Sequence, residues 1–126
     1  MLFVDNLSRN IRLIEKGRIA DSFWTRLRGL TFTRYLEGGQ GLIITCTNSI
    51  HTHFMFMPID VLYVDAQDKI VDMSPAMKPW RMALPRLKAH YVIEMPAGVI
   101  ARTGSRVGDR LQLISDETLS PVMPKS

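Results

Sequence analysis

The chain has 126 residues, 46% of them hydrophobic and 22% charged, a balance that suits a folded domain with its own core and excludes a disordered segment. Sixteen Lys and Arg against twelve Asp and Glu leave a net charge of +4, which is only a weak pull toward anionic partners. A single cysteine, Cys46, excludes an internal disulfide and a Cys-x-x-Cys site, and it suits a reducing compartment.

The start of the chain carries an acid at Asp5 and no basic segment leading into an apolar stretch, so no secretory signal is expected. No apolar run approaches the ~20 residues that cross a bilayer. A cytoplasmic protein with no membrane partner is the expectation. Residues 11–14 and 18–20 read as short β runs, with Glu15, Lys16 and Gly17 as a hairpin turn between them. Asp21 or Ser22 is placed to cap a short helix that carries Phe23, Trp24, Leu27 and Leu30 as its apolar stripe. A glycine-rich loop, residues 37–41, leads into an apolar strand over 41–45.

Residues 49–57 alternate: Ile50, Thr52, Phe54 and Phe56 fall on one face of a strand, His51, His53, Met55 and Met57 on the other. After Pro58 a strand resumes over 59–64, and a hairpin loop at 66–69 leads into another over 70–73. Three prolines between 75 and 85 predict a surface loop. A strand over 90–95, a turn at Pro96 to Gly98 into a helical stretch ending near Gly104, a turn at Val107 to Asp109 and a strand over 111–114 complete the pattern. The fold class is mainly β: one domain over residues 1–119, a β-sandwich or barrel-like fold with one or two short helices, and a flexible tail over 120–126.

Four motifs in fixed order then carry a resemblance. They are Arg26-Leu-Arg-Gly29-Leu30; Phe54-Met55 followed by Pro58-Ile-Asp60-Val61; Val92-Ile-Glu94-Met-Pro-Ala-Gly98; and Val107-Gly108-Asp109. Together, over about residues 20–114, the chain resembles the bacterial and archaeal family known as domain of unknown function 192. The resemblance implies a small, mostly β domain of sandwich type and supplies no activity. Where relatives read Phe-Trp-Met-Lys-Asn-Thr before the Pro-x-Asp element, this chain reads His53-Phe-Met-Phe-Met-Pro58, so the polar face there differs.

The candidate site residues are Arg26, His51, His53, Asp60, Arg81 and Glu94. Asp60 and Glu94 are embedded in apolar strands, where a carboxylate needs a cation or several amides; Arg26, Arg81 and Lys88 are the cations considered, with a structural salt bridge as the plain alternative to a ligand pocket. His51 and His53, two apart on a strand, aim both imidazoles to one side as a metal pair would. Only Asp60, Glu94 and His90 are at hand to complete such a set, so no metal and no cofactor is expected. Cys46 with His51 as nucleophile and base has nothing to hold the two together. Residues 38–41 lack the Lys-Ser/Thr and the helix of a phosphate loop.

No acid occurs between Asp72 and Glu94, while Lys78, Arg81, Arg86 and Lys88 do. With Trp80 and Tyr91 this stretch offers at most weak, non-specific nucleic-acid binding. The function expected is a non-catalytic module that binds a small molecule or a protein partner. The alternative is a small metal-assisted hydrolase or oxygenase using His51 and His53.

Overall fold

Residues 2–5 alternate between apolar and outward positions, and they begin the sheet as strand β1, Leu2–Asn6. The structure, a computed structural model, describes residues 2–20, 38–45, 57–78 and 86–115. Among the described residues the further strands are β2 (Ile11–Ala20), β3 (Gln40–Thr45), β4 (Ile59–Val64), β5 (Ile70–Met77), β6 (Tyr91–Pro96) and β7 (Leu111–Ser115), with the helix α1 (Val99–Thr103). All seven strands join one sheet in the order β5-β4-β6-β3-β2-β1-β7. The sheet curls until its two edges meet at one end. There the Ile70 amide donates to the Asp109 carbonyl at 2.9 Å, the Gly108 amide to the Ile70 carbonyl at 2.8 Å, and Lys69 bridges Arg110. Of the two β architectures expected from sequence, the barrel-like one is found.

Curling gives the sheet two unlike faces. The concave side is filled from every strand, by residues such as Val4, Ile14, Ile43, Leu62, Ile70, Ile93, Met95 and Leu111, and Val99 and Ile100 of α1 pack into it. The convex side holds a second cluster built on the β3, β4 and β6 strands: Leu42, Ile44, Ile59, Val61, Tyr63 and Val92, with Met57, Val71, Met77 and Ala89 against it. β4 is buried at all six positions because it is central and covered on both faces.

Three local expectations are corrected. Glu15, Lys16 and Gly17 form no turn, since β2 runs unbroken through them. Its pairing with β1 steps from Val4 opposite Ile14 to Leu2 opposite Gly17, so β2 carries an extra residue, a bulge. Gly17 is required there because a Cβ would lie 3.0 Å from the Leu2 carbonyl oxygen. Beyond the bulge β2 pairs in parallel with β3, from Lys16 opposite Gln40 to Ala20 opposite Ile44. Pro75 does not end β5, which continues to Met77; β5 is an edge strand, where a missing amide is tolerated. The strand β1 itself was not expected.

The hairpin loop read at 66–69 forms, with Asp65 Oδ1 accepting the amides of Gln67 and Lys69, each at 2.9 Å. So does the helix ending at Gly104, which takes the left-handed φ of 70° as its C-cap. The expected helix over residues 21–30 and nearly all of the 49–57 strand lie outside the described residues. No helix among the described residues is long and apolar enough to cross a membrane.

Candidate functional site

Asp60 opens the concave side of β4 and is 1% exposed. No cation among the described residues meets its carboxylate; three backbone amides do. Oδ1 accepts from Ala76 at 2.8 Å, and Oδ2 accepts from Ile100 at 2.8 Å and Gly98 at 3.1 Å. Each of these amides needs a partner for a different reason. Ala76 sits in a bulge where Ser74 and Met77 pair with Val61 and Ile59, and its φ is +50°. Gly98 and Ile100 belong to the first turn of α1, whose N-cap, glycine, has no side chain to cap with. Asp60 therefore caps the helix from a strand thirty-eight residues earlier. Arg26, the first choice of partner for Asp60, lies outside the described residues, as do His51, His53, Arg81, Cys46 and Trp80.

Glu94 is also 1% exposed, and it differs in every other respect. On β6 it stands opposite Leu42 of β3 on one side and Val61 of β4 on the other. Val61 belongs to the convex cluster, so Glu94 faces the convex side. Asp60 pairs with Met95, which belongs to the concave cluster. The two carboxylates thus lie on opposite faces of the sheet, and the structure does not bring them into one pocket. Their separation follows from the two-residue period of strands and a register one residue out of phase.

Among the described residues, Glu94 Oε1 is the buried side-chain atom left without a hydrogen bond. Burial pushes its pKa up to about 8, so the group is mainly a neutral acid at pH 7. The described residues of the convex cluster are apolar apart from Tyr63, whose hydroxyl shares a hydrogen bond with Ser74 Oγ at 3.1 Å. The Arg86 guanidinium lies over the Tyr63 ring, 4.3 Å from its centre, and donates to Asp72 Oδ2 at 2.8 Å. That bond, stronger here than desolvation, holds the Asp72 carboxyl below its ordinary range.

The basic stretch therefore contributes less to an anion site than its composition implies. Arg86 is turned onto Tyr63 and Asp72. Tyr91 is inside the concave core, 6% exposed, with its hydroxyl donating to Asp68 Oδ1 at 2.8 Å. Its ring is not free to stack a base. No group of three or more His, Cys, Asp or Glu among the described residues is arranged to hold a metal ion.

Sequence reasoning saw Asp109 only as part of a turn, and the structure makes it the centre of a buried polar network. It accepts from Asn6 Nδ2, Arg9 Nε and the Arg106 amide, each at 3.0 Å, while Asn6 also reaches Ser105 Oγ at 3.1 Å. Asn6 and Asp109 are 103 positions apart, a pairing that no local pattern announces. An open groove of about 350 Å³ beside it is lined by Asp5, Asn6, Leu7, Asn10, Ile11 and Arg12. Asp5 pairs there with Arg12 at 2.7 Å.

Fold and site together define a small β domain with one curled sheet, a helix capped from the sheet, and a buried acid on the convex side with one oxygen that no described residue bonds. The chain belongs to the DUF192 family, described as Uncharacterized ACR, whose model matches residues 7–113. It is 37% identical to a UPF0127 protein of Pyrococcus horikoshii over 110 residues, 85% of this chain and 95% of that one. A UPF0127 protein of Thermococcus sibiricus is 35% identical over 109 residues, 83% of this chain and 70% of that one. Two crystal structures share the fold, each with a TM-score of 0.74 over 88% of this chain. One is a protein of unknown function from Novosphingobium aromaticivorans, at 20% identity over 82% of its own chain. The other is a putative transcription regulator from Sinorhizobium meliloti, at 21% identity over 90% of its chain.

Proposed function

We propose that this chain is a non-catalytic module that binds a small molecule on the convex side of its sheet, with Glu94 as the group that recognises it. One observation carries the reading: a carboxyl in a central strand, paired beside Leu42 and Val61, with an oxygen that no described residue bonds. Buried polar atoms are nearly always hydrogen-bonded, and leaving one bare costs about 1–3 kcal/mol. A ligand that completes the bond recovers that cost. Asp60 has no such role, because both its oxygens already serve the backbone.

Arg86 and Tyr91 are engaged elsewhere, so nucleic-acid binding is expected to be weak and without sequence preference. The single cysteine supports a cytoplasmic setting. The test is a thermal-shift screen of chemically diverse small molecules against wild type and Glu94→Gln. Compounds that raise the Tm of wild type and leave the variant unmoved are expected. If every active compound shifts both proteins equally, Glu94 is not the recognition group and the reading fails.

A further inference from the structure

We propose that the corner where the edges of the curled sheet meet docks an acidic segment of a partner protein. Arginines of the 102–110 stretch hold its carboxylates, and the groove at the turn between β1 and β2 takes an apolar side chain. The inference is independent of the reading of Glu94.

The turn after β1 and the chain after α1 form one surface here. The Leu7 amide donates to the Arg110 carbonyl at 2.8 Å, and the Arg110 amide to Ser8 Oγ at 2.9 Å. Asn6 Nδ2 reaches Ser105 Oγ, which lies 2.8 Å from Thr103 Oγ1 at the end of α1. Residues 5–12 and 102–110 carry Arg9, Arg12, Arg102, Arg106 and Arg110 against Asp5 and Asp109.

Both of these acids are already engaged, Asp5 with Arg12 at 2.7 Å and Asp109 with Arg9 at 3.0 Å. Arg102, Arg106 and Arg110 are exposed, and no carboxylate among the described residues pairs with them. Their bonds to the fold come from the backbone, as when the Arg106 amide meets Asp109. The adjoining hairpin adds Asp65, Asp68 and Lys69, which reduces the positive surplus without cancelling it. Asp65 accepts amides of its own loop, and Asp68 accepts the Tyr91 hydroxyl.

Exposed arginines alone are an ordinary solvated surface. Apolar side chains and a groove beside them are not. Leu7 is 49% exposed and Val107 55%. Leu7 and Ile11 line the open groove of about 350 Å³ together with Asn10 and Arg12. A concave surface with apolar walls and unpaired cations near it complements an extended chain that carries an apolar side chain among carboxylates. Each guanidinium can take a carboxylate through two parallel bonds. A phosphate backbone would leave Leu7 and Val107 without an apolar partner, and the Tyr91 ring is buried in the core. A bilayer is met by a protruding apolar face, not by a groove.

The experiment is fluorescence anisotropy with labelled probes: the peptide Asp-Glu-Glu-Leu-Glu-Asp-Glu, the same peptide with serine for leucine, and an oligothymidylate. Vesicles of phosphatidylserine and phosphatidylcholine are tested by co-sedimentation. Wild type is compared with Arg106→Gln/Arg110→Gln, Leu7→Ser, Glu94→Gln and Arg18→Gln, an exposed arginine further along β2. Circular dichroism first establishes that each is folded; if Leu7→Ser is not, the serine peptide makes the same comparison. The leucine peptide is expected to bind wild type, Glu94→Gln and Arg18→Gln alike. It should bind the double arginine variant about tenfold or more weakly, and Leu7→Ser several-fold more weakly. The serine peptide should bind wild type several-fold more weakly, and raising salt from ~50 to ~300 mM should weaken both peptides. No binding of the leucine peptide to wild type at ~1 mM overturns the proposal, as does equal binding to the double arginine variant. Equal binding of the two peptides overturns it as well, since charge alone would then be acting. If the oligothymidylate or the vesicles depend on Arg106 and Arg110 and the peptide does not, the corner serves phosphates and the acidic protein segment is wrong.

Discussion

The carboxylate of Asp60 accepts the amide of Ile100 at 2.8 Å across forty positions of sequence, and its other oxygen holds Ala76 at the same distance. One side chain thereby fixes both the entrance of α1 and the bulge in the edge strand β5. Asp60→Ala leaves three amides without their acceptor, two of them from a helix turn that has no cap of its own. A loss of roughly 3 kcal/mol or more is expected. Asp60→Asn keeps one acceptor oxygen and turns an NH2 group toward the amides the other oxygen served, so it should fall between wild type and Ala. Urea titration ranks the three proteins. An Asn variant as stable as wild type would mean that only one of the two oxygens matters.

Much of this arrangement was legible in the sequence, and its limits are physical. The apolar run after Pro58 placed Asp60 in a buried central strand, and the need for a cation or several amides followed from the cost of a bare carboxylate. Which of the two it would be depends on what a distant segment brings, and α1 arrives from thirty-eight residues away. The face of Glu94 relative to Asp60 depends on how β4 and β6 are registered, and a shift of one residue would have put both acids together. The bulge at Gly17 was mistaken for a turn because Glu-Lys-Gly reads alike in both; only the partner strand, close enough to exclude a Cβ, decides it. His51, His53, Arg26 and Arg81 lie outside the described residues.

Gly41 tests how tightly β3 is packed on β2. A Cβ added there would fall within the Ile14 side chain, which is itself fully buried in the concave core. Replacing glycine by alanine in a strand ordinarily stabilises a little by restricting the unfolded chain. Here overpacking should win, and Gly41→Ala should cost ~1–3 kcal/mol in chemical denaturation. Gly41→Ala combined with Ile14→Val removes part of the obstruction, so the pair should be less unstable than the two single losses added together.

Asp109 governs the acid limb of stability. Burial alone would raise its pKa, but the bonds from Arg9, Asn6 and the Arg106 amide outweigh burial and hold it below the ordinary 3.8. A carboxyl whose folded pKa is depressed contributes stability that is present above its unfolded pKa and is lost as pH falls through the folded one. Asp109→Asn should therefore be less stable than wild type at pH 7, and the gap should narrow below pH ~3.8. Asp109→Ala also strips the Asn6 amide of an acceptor inside the network and should cost roughly 3 kcal/mol. Denaturation midpoints between pH 2 and 7 decide it; a gap that stays constant across that range would show that Asp109 acts by shape and not by charge.

Glu94 governs the opposite limb, with the opposite sign. Its folded pKa is raised from 4.5 to about 8, so between those values the folded chain holds a proton that the unfolded chain releases. Stability must then fall as pH rises through this window, by about 1.4 kcal/mol per unit, and level off above pH ~8. From 4.5 to 7 the loss amounts to about 3 kcal/mol, a large part of what holds a domain of this size together. Glu94→Gln cannot ionise, so its stability should lack this slope, and the variant should gain on wild type steadily from pH 5 to 8. Glu94→Leu removes the polar group altogether and should show the same flat profile without a buried amide to satisfy. Urea titrations at half-unit steps from pH 5 to 9 measure all three. Parallel profiles for wild type and Glu94→Gln would mean that the carboxyl is already ionised at pH 5 and has a partner that holds its charge, and the convex side would then offer no bare acid to a ligand.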